Sequence, residues 1–130
     1  MTPYGRELIL DISHANVAKF GHDSLERFVK ELCEEIGMER EDLCFWEYET
    51  PETYEAAPPH LKGISLVQFI TTSSVVLHTL DDLGCMCLNV FSCREFDAKK
   101  TVVFCAAWFD GEVDSWTQVA RGERFACPLP

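Results

Sequence analysis

The sequence predicts an α+β fold: a two-layer sandwich in which a mostly antiparallel sheet of four to five strands is covered by two helices. Three observations predict it. Short apolar and β-branched runs recur along the chain with turn residues between them. Two longer stretches carry apolar residues at helical spacing instead. No repeat, linker or charge block divides the chain, so residues 1–130 are expected to form a single domain. A chain of 130 residues buries roughly two thirds of its unfolded surface, which suffices for folding without disulfides or a metal.

The elements follow in order. Glu7 to Ser13 alternates well enough to be a strand. Asp23 and Ser24 offer helix caps before Leu25, Phe28, Val29, Leu32, Cys33 and Ile36, and Gly37 is a natural stop. Leu43 to Tyr48 reads as a strand, whereas Thr50 to Pro59 is polar and proline-broken and reads as a loop. Ile64 to Ile70, Ser73 to Leu80 and Cys85 to Phe91 are three closely spaced strands, the last two joined by turn chemistry at Asp81-Asp82-Leu83-Gly84. Asp97 caps a second helix whose apolar face is Val102, Val103, Cys105, Ala106 and Phe109; Gly111 ends it, and Val113 to Ala120 is a final strand.

A net charge of −11 argues against nucleic acid and against an anionic membrane surface, and suits a cationic small-molecule ligand. No apolar run reaches membrane-spanning length. The seven cysteines (33, 44, 85, 87, 93, 105 and 127) are odd in number and mostly in apolar surroundings. Reduced, mostly buried thiols in a cytoplasmic protein are therefore expected. The one close pair, Cys85 and Cys87, lacks zinc-site spacing, so no metal is expected. His14, His22 and His60 show no partner spacing, and Trp46, Trp108 and Trp116 read as packing residues.

Hairpin counting gathers the reactive side chains. A turn centred near Asp82 brings Phe91 roughly opposite Ser73, with Cys93 just beyond. A turn at Thr71-Thr72 brings Ser65 opposite His78 by the same counting. Two hydroxyls, an imidazole and a thiol are thus candidates for one cluster across three strands. Ser73 and His78 have opposite parity, however, so sharing a site requires a bulge.

The segment Leu61 to Cys93, with Gly63 and Ser65, then Ser73, then His78-Thr79, then Phe91-Ser92-Cys93, resembles the core of the prokaryotic S-adenosylmethionine decarboxylases, with matching intervals. The resemblance implies a self-processing homodimer, with residues of both protomers near each site. The chain would be cleaved between Thr72 and Ser73 into fragments 1–72 and 73–130, and Ser73 would become a pyruvoyl group that replaces pyridoxal phosphate as electron sink. It further implies His78 as the base that takes the α-proton during processing, Ser65 as its support, and Cys93 as the donor that returns a proton to the substrate.

The chain departs from that family at several positions. Thr72 replaces a glutamate, and Ser74 stands where histidine is frequent. Pro59 and Leu80 stand where the family has rings that stack on adenine, and Asp82 stands for the acid that holds the ribose. Phe45, Tyr48 or Tyr54 are alternative stacking rings, while Glu52, Glu55, Asp81 and Asp82 suit a basic amino acid. Four readings result: a decarboxylase of S-adenosylmethionine serving spermidine synthesis, the same chemistry on ornithine or arginine, an unprocessed non-catalytic homologue, or a thiol or metal protein built on Cys85, Cys87 and Cys93.

Overall fold

The computed structural model describes residues 2–126, so the expectation for Cys127 lies outside the described residues. Six strands and three α-helices follow one another as β1 (Gly5–Ser13), α1 (His22–Glu35), β2 (Arg40–Trp46), α2 (Pro51–Ala56), β3 (Ser65–Ile70), β4 (Ser73–Leu80), β5 (Cys85–Ser92), α3 (Ala98–Trp108) and β6 (Glu112–Arg121). The strands form one sheet in the order β2-β3-β4-β5-β1-β6, and every neighbouring pair is antiparallel. The α+β class holds, with six strands where four to five were expected. The additional pairing is that of β6 with β1, which joins the two ends of the chain. A contact of such sequence separation leaves no local signature.

Alternation along the strands sorts the sheet into two faces. Leu8, Leu10, Ile12, Leu66, Leu77 and Leu88 point to one side and are buried against α1 and α3. The helices meet this face through Leu25, Phe28, Val29, Leu32, Val102 and Cys105. Val103, expected on the buried face of α3, is exposed. Among the described residues, no helix lies over the opposite face of the sheet, and Ile9, Phe69, His78 and Cys87 are exposed there. Among the described residues, no helix is long and apolar enough to cross a membrane.

The helix ends show how local sequence sets these elements. Helix α1 begins one residue earlier than Asp23, with Gly21 as N-cap and Asp23 in its first turn. It stops at Gly37, whose φ of 70° allows Met38 N–H to reach the Cys33 carbonyl at 2.8 Å, a Schellman closure. Asp97 caps α3 by accepting from Lys100 N–H at 3.0 Å. The segment expected to be a loop contains α2, because Thr50 and Thr53 form a capping box and Pro51 occupies the one helical turn that tolerates it.

The cysteines also differ from expectation. Among the described residues, only Cys33 and Cys105 are buried; Cys44 and Cys87 are exposed and Cys85 and Cys93 half-buried, since their strands have an uncovered face. Burial pushes the Cys33 thiol up to about 11, with Arg40 opposing, and pushes Cys105 higher still.

Candidate active site

Strand β4 carries the centre of the site. At its start, Thr72 has a φ of 53°. A β-branched residue in this left-handed region is strained by roughly 1–3 kcal/mol. The strained residue immediately precedes Ser73, which is 8% exposed. The Ser73 hydroxyl lies 3.7 Å from Cys93 Sγ and accepts from Cys93 N–H at 3.2 Å. Thr72 Oγ1 stands 3.5 Å from the same sulfur and donates to its neighbour's carbonyl, Thr71 O, at 2.8 Å. The Thr72 hydroxyl, then those of Ser73 and Tyr4, hold the Cys93 thiol below its ordinary pKa against partial desolvation. Tyr4 was not read from the sequence; it sits just ahead of β1, distant in sequence from the strand it serves.

Gly5 makes this corner possible. A Cβ there would lie 2.6 Å from the Ser92 carbonyl oxygen and 3.4 Å from Cys93 Cα, so only glycine lets β1 run this close to the end of β5. The corner opens on a cleft of about 280 Å³ that also includes Met38, Ile70, Thr71 and Arg94.

The second pair lies at the other end of β4. Ser65 and His78 face each other across β3 and β4 in the register expected by counting, with Ser65 Oγ 2.7 Å from His78 Nδ1. Gly63 sets this closure: a Cβ there would fall 1.8 Å from the Thr79 carbonyl oxygen. Thr79 completes it, accepting from Ile64 N–H through its hydroxyl at 2.8 Å and donating its own N–H to the Ile64 carbonyl at 2.9 Å. Gly63 and Thr79 are therefore the braces that keep Ser65 opposite His78.

The four reactive residues do not meet within one chain. Ser73 shares the parity of the helix-covered face and His78 that of the open face, and the β4 ladders run regularly from Ser74 to Leu80 without a bulge. Phe91 faces Ser74, one residue from the expected register. Five residues separate the pairs, roughly 16 Å of strand. The structure thus presents two pairs, Ser73 with Cys93 and Ser65 with His78, at opposite ends of β4.

A cleft of about 380 Å³ adjoins Ser65 and His78 and is lined in addition by Trp46, Tyr48, His60 and Leu80. Pro59 sits in the short turn Pro59–Leu61 at its rim without lining it. Trp46, read as a packing residue, is 56% exposed here, and Trp116 is exposed on β6. A larger cleft of about 550 Å³ lies beside it, lined by Glu47, Glu49, Tyr54, Glu55 and Asp81. Its acids are partly engaged. Tyr54 donates to Asp81 at 2.6 Å, which pushes the tyrosine up to about 12, and Glu47 lies against His22. Asp82 is 3.9 Å from Lys62, which reaches Glu55 at the same distance. His22 also stacks on Phe45 at 3.8 Å and His14 lies 3.2 Å from Glu112, so both histidines have partners that spacing did not reveal. Among the described residues, no three His, Cys, Asp or Glu side chains converge as a metal-ligand group.

An open antiparallel sheet with helices on one face has a counterpart among known structures. The structure matches the crystal structure of the adenosylmethionine decarboxylase from Aquifex aeolicus VF5 with a TM-score of 0.75, covering 94% of this chain and 93% of that one. At 11% identity this shows a shared fold. The family is shown by sequence: the family model described as S-adenosylmethionine decarboxylase matches residues 6–122. The chain belongs to the S-adenosylmethionine decarboxylase family. No curated protein matches it by sequence.

Proposed function

We propose that this chain is a pyruvoyl-dependent S-adenosylmethionine decarboxylase that cleaves itself between Thr72 and Ser73 and works as a homodimer with shared sites. The observation that carries the reading is the strained Thr72 directly ahead of Ser73, whose hydroxyl is held beside Cys93. Its product would be an aminopropyl donor for spermidine synthesis.

Processing follows from the groups at hand. The Ser73 hydroxyl attacks the Thr72 carbonyl carbon; the C–N bond breaks, the proton passes to the amine, and an ester replaces the peptide. Relief of the left-handed Thr72 favours this step, and the thiolate form of Cys93, whose Sγ lies 3.7 Å from the Ser73 hydroxyl, takes the hydroxyl proton and passes it to the amine. A base then removes the α-proton of residue 73, and the Thr72 carboxylate leaves. Addition of water to the resulting imine and loss of ammonia leave a ketone at the start of fragment 73–130.

The half-buried corner fits such a small group, since it adds no bulk beyond the serine and sits within reach of a thiol. Bound to the chain, it supplies the electron sink for carbon dioxide loss. Cys93 holds a proton at Sγ for return to the substrate carbon. In the tautomer whose Nδ1–H donates to Ser65 Oγ, 2.7 Å away, His78 keeps the Nε2 lone pair to act as base.

Roughly 16 Å separates His78 from Ser73 in one chain, so the base for residue 73 comes from a second copy. A two-fold axis near the middle of β4 places the Ser65–His78 end of one protomer against the Ser73–Cys93 end of the other, twice. The open face offers the surface: Ile9, Phe69, Val76 and Phe91 lie on it without a covering helix, and Phe69 is 46% exposed.

Ornithine or arginine is the second reading, favoured by the acidic cleft of Glu47, Glu49, Glu55 and Asp81. The engagement of Asp81 by Tyr54 and of Glu47 by His22 weakens it. Intact-mass measurement tests the proposal. Two fragments split before Ser73 are expected, and a persistent 14.8 kDa species would contradict both enzyme readings. Carbon dioxide released from labelled S-adenosylmethionine, and not from labelled arginine or ornithine, separates the two.

A further inference from the structure

Arg94 lines the cleft beside Ser73, and the processing chemistry does not use it. Its backbone is pinned by the buried Ser92, whose hydroxyl accepts from Arg94 N–H at 2.9 Å and donates to the Arg94 carbonyl at 2.8 Å. Its guanidinium reaches across to the end of α1, where Nη1 donates to the Gly37 carbonyl at 3.4 Å. The negative end of the helix dipole lies there. One corner of the guanidinium fork is thereby held, and its other donors are left for a further acceptor. Among the described residues, no carboxylate takes them. Glu95, next in the chain, lies 3.6 Å from Arg6, and Glu39, elsewhere on the cleft wall, stands outside ion-pair range of Arg94. A chain with 22 acids to 11 lysines and arginines thus leaves this arginine without an acid beside its candidate nucleophile.

We propose that Arg94 is the receptor for the carboxylate that self-cleavage frees at Thr72, and that it holds the end of fragment 1–72 against the cleft wall, clear of the Ser73 corner. The assignment rests on the self-cleaving decarboxylase reading for its anion and adds a binding site to it. Thr72 Oγ1 lies 3.5 Å from Cys93 Sγ, so the new end forms beside the residue that precedes Arg94. Its swing is short, because the Thr71 hydroxyl donates to Glu41 Oε2 at 2.8 Å and ties the preceding residue to β2. Glu41 has the same charge as the new end and turns it away from β2. Arg94 is the one cation lining the cleft among the described residues, and it draws the end across. A planar guanidinium can take both carboxylate oxygens at once. Left unheld, the terminus would keep a negative charge beside the Cys93 thiol, over the corner that the substrate amine has to enter.

The test uses the full-length protein after self-cleavage, both fragments together, and follows the trimming of fragment 1–72 by a carboxypeptidase through its mass. A synthetic peptide of residues 61–72 has the same end without Arg94 and corrects for the peptidase's own response to salt. At low salt, Arg94→Gln is expected to lose Thr72 about 3- to 10-fold faster than the wild type, between the yield of an exposed ion pair and that of a charged hydrogen bond. Arg94→Lys, which keeps the charge but not the fork, should fall between them. Raising the ionic strength to about 1 M is expected to close the gap. Equal trimming of wild type and Arg94→Gln overturns the receptor, and so does a gap that salt leaves untouched, the mark of a merely structural arginine. In either case, cleavage before Ser73 leaves the decarboxylase reading standing. A wild type that stays uncleaved overturns both. Should Arg94→Gln not fold, the wild type measured against the peptide decides: protection that falls about 3- to 10-fold with salt supports the site, and protection indifferent to salt overturns it.

Discussion

Replacing Gly63→Ala offers a direct view of what holds Ser65 against His78. The new Cβ would lie 1.8 Å from the Thr79 carbonyl oxygen, roughly 1.5 Å short of ordinary contact. That oxygen belongs to the β4 backbone, so the conflict is relieved only by moving β3 away from β4. The movement stretches two hydrogen bonds, Ile64 N–H to Thr79 Oγ1 at 2.8 Å and Thr79 N–H to Ile64 O at 2.9 Å. At about 1 kcal/mol each, added to about 1–3 kcal/mol for overpacking, the loss comes to about 3–5 kcal/mol. Against a typical stability of about 5–15 kcal/mol this is large but leaves a folded population to study. With a urea slope of about 1–3 kcal/mol/M, the midpoint should fall by at least about 1 M, and the rate of cleavage at Ser73 should fall with it. An unchanged midpoint in Gly63→Ala would show that β3 and β4 are not clamped as described, and the account of the Ser65–His78 pair would fail with it.

Two further outcomes concern the cleavage corner. In an uncleavable Ser73→Ala background, Thr72→Gly should stabilise the chain by about 1 kcal/mol in urea, because relief of the left-handed strain exceeds the added glycine entropy; in the Ser73 chain the same change should slow cleavage. Destabilisation together with unchanged cleavage would show that the strain is not used. Iodoacetamide labelling followed by mass spectrometry should show Cys93 of the Ser73→Ala chain reacting at lower pH than an ordinary thiol, with Cys33 and Cys105 protected in the native state. The sign follows from the lowered folded pKa: the thiolate contributes stability above the ordinary thiol pKa, and this is lost as pH falls through the folded value. Thr72→Val removes the hydroxyl that does most to lower the Cys93 thiol and should move the labelling midpoint upward.

Local features of the fold were legible in the sequence and long-range ones were not. Ser65 opposite His78 follows from a short turn whose length fixes register; in the β4–β5 hairpin the turn was legible, with Gly84 at a left-handed φ of 63°, but the register was not, since Phe91 faces Ser74 rather than Ser73. Asp97 and Gly37 mark helix ends by chemistry confined to one turn. The edge position of β6 was not legible, because its partner β1 lies about a hundred residues earlier. Helix α2 was hidden by polar composition, since a capping box rather than an apolar stripe sustains it. Cysteine exposure followed from an open sheet face, which periodicity cannot distinguish from a covered one. The candidate site was legible as residues but not as geometry. Parity did foretell that Ser73 and His78 point apart; the bulge that a shared site within one chain would require is absent, and two separate pairs result.

Those two pairs make the shared site the central claim, and complementation tests it most directly. Ser73→Ala keeps His78 but has nothing to cleave, while His78→Ala keeps Ser73 but lacks the base. Each alone should remain uncleaved. Co-expressed in equal amounts with random pairing, about half of the dimers are mixed, and each mixed dimer contains one intact Ser73 facing one intact His78. Intact mass should then show about half of the His78→Ala chains, a quarter of all chains, split before residue 73. No cleavage in the mixed dimers would place the whole site within one chain and contradict the account.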